Sequence, residues 1–283
     1  MPQTLIELGG EKNAPIISLA PANGFVPQTY LPLLRPLMED YRVVSTPPKA
    51  LWGDGEAPEL TVEHSWYDLS VDMLNAYEKF GLDDVVAIGH SIGAVMTLLA
   101  AIQKPELFKA IILLDPVIAT HQMCDWVISE HSKGNVAAFP LAELAKRRRN
   151  KFQSVKAAFQ NFHGKSIFAN WSDEVLQLYV EHGTMDCEDG LRCLTWSPPW
   201  EAFYYSSYYP YIWDEIPKLK DLDLPVYFIA AEHSDAFFAE AIQEVQDILP
   251  DVSFTVFEGE GHLFPQSSPQ ETSEMIQEWL KNI

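Results

Sequence analysis

Seven short apolar runs punctuate the chain. They are TLIEL beginning at Thr4, PIISLAP (Pro15–Pro21), YRVVSTP (Tyr41–Pro47), DDVVAIGHS (Asp83–Ser91), FKAIILLDP (Phe108–Pro116), PVYFIAAE (Pro225–Glu232) and VSFTVFEGEGH (Val252–His262). Most are rich in Val, Ile and Leu without polar alternation, the pattern of strands covered on both faces. Between several of them the apolar residues change to helical spacing. Ser65–Gly81 has a helical face and a glycine stop, the apolar helix that follows Ser91 from Gly93 ends before Pro105, and Ser268–Asn282 closes the chain as an amphipathic one. Strands alternating with helices predict an α/β fold: a mostly parallel central sheet with helices on both faces.

The pattern changes between about Ile118 and Pro217. Helical spacing continues there, but Val/Ile strand runs disappear. Leu141–Phe162 and Ser172–Gly183 read as helices. The expected division is a core of residues 1–117 and 217–283, with residues 118–216 inserted as a helical cap over one end of the sheet. Within the insertion, Trp196–Trp213 (WSPPWEAFYYSSYYPYIW) is densely aromatic. It reads as packing between cap and core, and some of its rings as the lining of an apolar pocket.

One junction stands apart. Gly89-His90-Ser91-Ile92-Gly93 lies where an apolar strand runs straight into an apolar helix. G-x-S-x-G in that setting is the nucleophile-elbow pattern: the serine occupies a strained turn, and a side chain at either glycine would strike neighbouring backbone. A serine nucleophile needs a base and a group that orients the base, in the chain order Ser, acid, His. His262, in the loop after the last strand, is the best placed of the eight histidines. His90 should point away from Ser91 into packing. Asp235, shortly after VYFIAA, is the favoured acid; Asp115 at the end of AIILLDP is the rival, and Glu232 reads as a salt-bridging residue. Two N–H donors are needed for an oxyanion. The expected ones are the N–H of Ile92 and that of Phe25, in the Asn23-Gly24-Phe25 loop where Gly24 permits the turn.

With those motifs in place, the chain resembles the α/β-hydrolase superfamily of the core-plus-cap type over its full length. GHSIG matches the elbow, ANGF the early oxyanion loop, AAEHSDAF the acid loop and GEGHLFPQSSPQE the terminal histidine loop. Members usually carry His-Gly where this chain has Asn23-Gly24. The resemblance implies hydrolysis of a small to medium apolar carboxylic ester through an acyl-enzyme, with no cofactor and no metal. The same residues could instead cleave an amide or a C–C bond, or be retained in a non-catalytic binding protein. Serine at the elbow argues against dehalogenase and epoxide hydrolase chemistry, which uses aspartate there.

Charge and cysteines narrow the partners. The 283 residues carry 19 Lys and Arg against 40 Asp and Glu, a formal net charge of −21. Such a surface repels nucleic-acid phosphates and anionic lipid. No apolar run approaches the roughly 20 residues of a membrane helix, and the start of the chain lacks a signal-peptide pattern. Cys124, Cys187 and Cys193 show no metal-binding spacing, and an odd count fits free thiols in a reducing compartment, so the expected location is cytoplasmic. The basic run Lys146–Lys151 reads as a solvated face paired with acids. The alternative is a pocket-facing Arg147 or Arg148 that holds a substrate carboxylate.

Overall fold

The computed structural model describes residues 3–52 and 56–283. All seven apolar runs form strands of one sheet. In chain order they are β1 (Ile6–Gly9), β2 (Ile16–Ala20), β3 (Arg42–Ser45), β4 (Val85–His90), β5 (Phe108–Leu114), β9 (Val226–His233) and β10 (Ser253–Gly261); β6 to β8 lie in the insertion. Their spatial order is β1-β3-β2-β4-β5-β9-β10. Only β1 runs antiparallel, against β3; every other pairing is parallel. The central strand β4 is buried at every residue, as its unbroken apolar run requires. The edge strand β10, paired only with β9, is half-exposed.

The helices follow their sequence signals closely. Helix α1 (Trp66–Phe80) starts at a capping box, with the Ser65 side chain accepting from Tyr67 N–H and Asp68 returning to Ser65 N–H. It ends at Gly81, whose φ of 63° is left-handed. Helix α2 (Ile92–Gln103) is buried from Ile92 to Ala101, because both its neighbours and the sheet cover it. Near the end of the chain come α8 (Ala239–Ile248) and the closing helix α9 (Pro269–Leu280).

Between β5 and β9 the chain builds a separate layer. It contains α3 (His121–Ser132), α4 (Pro140–Lys146), α5 (Val155–His163), α6 (Asp173–His182) and α7 (Pro198–Ser206). It also contains a small antiparallel sheet, which the sequence pattern did not announce. Strands β6 (Lys151–Phe152), β7 (Thr184–Asp186) and β8 (Arg192–Leu194) pair in the order β6-β8-β7. The expected single helix over Leu141–Phe162 is therefore two helices. The break falls at the basic run and β6, and Ser154 restarts the chain as the N-cap of α5, accepting from Ala157 N–H. The reading of three free thiols also changes. Cys187 and Cys193 form a disulfide across the β7–β8 hairpin, and Cys124 alone is free and buried.

Most of the aromatic segment packs. Trp196, Trp200, Tyr204 and Tyr208 join the core formed by α1, α2 and the sheet, and Trp66 Nε1–H donates to the Tyr204 carbonyl at 2.7 Å. Among the described residues no helix is long and apolar enough to cross a membrane.

Candidate active site

The carboxyl ends of β2, β4, β5 and β10 converge, and each delivers one part of the site, as ends of parallel strands do. Ser91 stands directly after β4 with φ 60° and ψ −122°, a conformation that a non-glycine residue holds only under constraint. The flanking glycines supply clearance. A Cβ on Gly89 would fall 2.5 Å from the Ala94 Cα, and one on Gly93 would fall 2.7 Å from the Pro21 carbonyl oxygen. Residues with side chains at either place would push α2 off the strand ends.

His262 follows β10, and its Nε2 lies 2.9 Å from Ser91 Oγ. Its Nδ1 lies 2.6 Å from Asp115 Oδ2. A carboxylate only accepts, so Nδ1 carries the proton and Nε2 turns its lone pair to the serine hydroxyl.

Here the structure corrects the assignment of the acid. Asp235 is exposed at the cavity edge and makes no hydrogen bond to His262; the partner is Asp115, which is fully buried. The reason lies in strand order. β5 and β9 are neighbours, with Leu114 opposite Ile229, so a carboxylate at the end of either strand can reach the same histidine. Asp115 comes one residue after β5. The loop after β9 supplies donors to it instead of an acid: Ala231 N–H to Oδ1 at 2.8 Å and the Ser234 hydroxyl to Oδ2 at 2.5 Å. Ser234 is itself fixed by accepting from the N–H groups of Ala236 and Phe237. The sequence held one hint, since Asp115 directly follows the apolar stretch Ala110–Leu114 and an aspartate buried there must have partners for its charge.

A second buried network holds the histidine loop. Ala22 N–H donates to the Tyr30 hydroxyl at 3.0 Å, and Tyr30 lies 2.7 Å from His90 Nδ1. Because the Tyr30 oxygen already accepts from Ala22, its proton goes to His90 Nδ1. His90 Nε2–H then donates to the His262 carbonyl at 2.9 Å. Burial, followed by the nearness of His262, holds the His90 pKa well below the usual histidine value, so the ring is neutral in this role. His90 thus packs away from Ser91, as expected from sequence, but it also ties the end of β2 to the loop carrying His262.

The Asn23-Gly24-Phe25 loop after β2 is a tight turn. Phe25 N–H reaches the Ala22 carbonyl at 3.2 Å, and Gly24 has φ 81°. Ile92 is the first residue of α2, so its N–H has no acceptor within the helix. Asn23 donates from Nδ2 to the Glu201 carbonyl of α7 at 3.0 Å. It links this loop to the inserted layer.

Above these groups lies a cavity of about 900 Å³ between the strand ends and the inserted layer. Ser91, His262, Gly24, Phe25 and Ile92 line its floor. Its walls are largely apolar, with Trp66, Phe139, Leu144, Phe168 and Trp171 among them; of the Trp196–Trp213 segment only Glu201, Tyr205 and Tyr208 reach it. Of the two arginines singled out in the basic run, Arg148 faces the cavity, paired with Glu201 at 2.5 Å and with the Tyr179 hydroxyl; Arg147 does not line it. Its neighbours Lys146 and Lys151 form exposed pairs with Glu143 and Asp189. Among the described residues no group of three or more His, Cys, Asp or Glu side chains is placed to hold a metal ion.

A strained serine between two obligatory glycines, a histidine from the last strand and a doubly wound sheet beneath them define the α/β-hydrolase class of fold. Residues 19–275 match the model of the alpha/beta hydrolase family, and the chain belongs to that family. A 2-(acetamidomethylene)succinate hydrolase of Mesorhizobium japonicum is 23% identical over 230 residues, covering 81% of this chain and 74% of that protein. A proline iminopeptidase of Lactobacillus delbrueckii subsp. lactis is 24% identical over 232 residues, 80% of this chain and 74% of that one. The crystal structure of an E-2-(acetamidomethylene)succinate hydrolase shares the fold with a TM-score of 0.73 at 19% identity, over 98% of this chain and 94% of that chain.

Proposed function

We propose that the protein is a serine hydrolase that cleaves a carboxylic ester through an acyl-enzyme, with Ser91 as nucleophile, His262 as base and Asp115 as the orienting acid. The observation that carries this reading is the unbroken relay from Ser91 Oγ through His262 to Asp115, at 2.9 and 2.6 Å. In the first step His262 Nε2 takes the hydroxyl proton as Oγ adds to the carbonyl carbon. Asp115 steadies the imidazolium that forms. The oxyanion sits against the N–H of Ile92, backed by the N-terminus of α2, and against that of Phe25, which shares its proton with the Ala22 carbonyl. The tetrahedral adduct collapses, the C–O bond breaks, and the alcohol leaves with the proton from His262. Water then attacks the acyl-enzyme by the same path and releases the acid.

Residues 118–216 act as the cap, closing the cavity over Ser91 and giving it an apolar lining suited to an acyl or alcohol group. An amide is the second reading of the scissile bond, supported by the peptidase among the relatives. It needs no other residue, because His262 would deliver its proton to the leaving nitrogen. The test is reaction with a fluorophosphonate probe and turnover of p-nitrophenyl esters. Wild-type protein should be labelled once, at Ser91. Ser91→Ala should keep the fold and lose both labelling and turnover, whereas unchanged ester hydrolysis in that variant would overturn the assignment.

A further inference from the structure

One end of the cavity is positively charged in a protein whose net charge is −21. Two cations line it, and they differ in their partners. Arg148 is committed: one nitrogen bonds Glu201 and another the Tyr179 hydroxyl. Lys165 is not. Its ammonium lies 4.9 Å from the centre of the Phe162 ring, and among the described residues no carboxylate is within ion-pair distance of it. Partial burial, then repulsion from Arg148 and Arg149, pushes its pKa down, with Glu201 opposing. Arg149 lies outside the cavity lining, where it bonds the Lys151 carbonyl and the Asn161 side chain. Arg148 is thus neutralised by Glu201, and Lys165 is the cation of the lining without a carboxylate partner among the described residues. Ser166 and Asn170, both able to donate hydrogen bonds, line the same end.

The cationic end adjoins the proposed oxyanion loop. A Cβ on Gly24 would lie 3.4 Å from the Arg148 guanidinium and 3.2 Å from the Glu201 carboxyl carbon. We infer that Lys165, with Arg148 behind it, is a subsite for a carboxylate carried by the substrate a few bonds from its scissile carbonyl. The inference rests on the serine hydrolase reading and narrows it to acyl compounds with one apolar and one anionic end. A singly charged group is favoured over phosphate, because Asp235 and Glu260 line the same cavity and would repel a dianionic headgroup. Lys165 supplies the charge-assisted bond, and the arginine pair holds the wall in shape.

Calorimetric titration of the full chain with hexanoate and with its neutral isostere hexanamide tests this. Hexanoate should bind about tenfold more tightly than hexanamide, and Lys165→Met should remove that preference. Lys156→Met, an exposed lysine of α5 outside the cavity, should leave it intact. Hexanoate should also slow fluorophosphonate labelling of Ser91, which places it in the same cavity. Equal affinity for the two probes, a preference that survives Lys165→Met, or inorganic phosphate binding as well as hexanoate would each overturn the inference. The two readings fail separately. Absence of labelling sinks the hydrolase, while normal labelling without a hexanoate preference sinks only the carboxylate subsite.

Discussion

Asparagine at position 115 separates the two candidate acids. Asp115 accepts from three donors: Ala231 N–H, the Ser234 hydroxyl and His262 Nδ1. Asparagine offers one oxygen and one amide nitrogen. If its oxygen keeps the Ala231 N–H, its nitrogen faces His262, and the imidazole must present a lone pair at Nδ1. The proton then moves to Nε2, which points at Ser91 Oγ, and the base can no longer take the hydroxyl proton. The same tautomer error in the serine protease triad costs about 10⁴ in kcat. We expect a loss of about 10³ to 10⁴, or about 4 to 5.5 kcal/mol of barrier. The Asp235→Asn variant should stay within about threefold of wild type, because an exposed side chain outside the relay contributes little to the barrier.

The assay is initial-rate hydrolysis of p-nitrophenyl butyrate, with the rate of fluorophosphonate labelling as a second readout that does not depend on deacylation. Thermal unfolding accompanies both, since an unmatched buried donor costs about 1 to 3 kcal/mol of stability by itself. A folded Asp115→Asn protein with near-normal rates, or an Asp235→Asn protein that loses activity as a triad variant should, would refute the reasoning from strand order and burial.

Other consequences follow from the same geometry. His90 is held neutral when folded, so the unfolded chain binds more protons below the ordinary histidine pKa; its contribution to stability is present above about pH 6.5 and falls by up to about 1.4 kcal/mol per pH unit below that. Denaturant midpoints from pH 7.5 to pH 5 should show this slope, and His90→Asn should flatten it. Gly93→Ala should cost about 1 to 3 kcal/mol through collision with the Ala20–Pro21 backbone, read as a lower melting temperature, and should slow ester turnover as the oxyanion loop shifts. Cys187→Ser should cost about 2 kcal/mol, the loop-closure value for a short ring, with no change in labelling at Ser91; an unchanged melting temperature would show that the hairpin holds without the bond.

The parts of the site that could be read in sequence are those whose chemistry is local. Ser91 and its two glycines are decided by the backbone they touch within a few residues. His262 is marked by its position after the last apolar run. The strands of the sheet were legible because a run buried on both faces has few other ways to be satisfied. The acid was not local in this sense. Whether Asp115 or Asp235 meets His262 depends on β5 and β9 lying side by side, and hydrophobic pattern reports burial but not neighbours. The small sheet of the insertion escaped for a related reason: strands of two or three residues leave no periodicity to detect. Arg148 shows the limit most clearly. Within Lys146–Lys151 it has the same local chemistry as Arg147 and Arg149, yet only it is joined to a buried glutamate 53 positions away. A charge run in sequence is a set of equivalent candidates. What distinguishes one member is the carboxylate that the fold brings to it, as Glu201 is brought to Arg148.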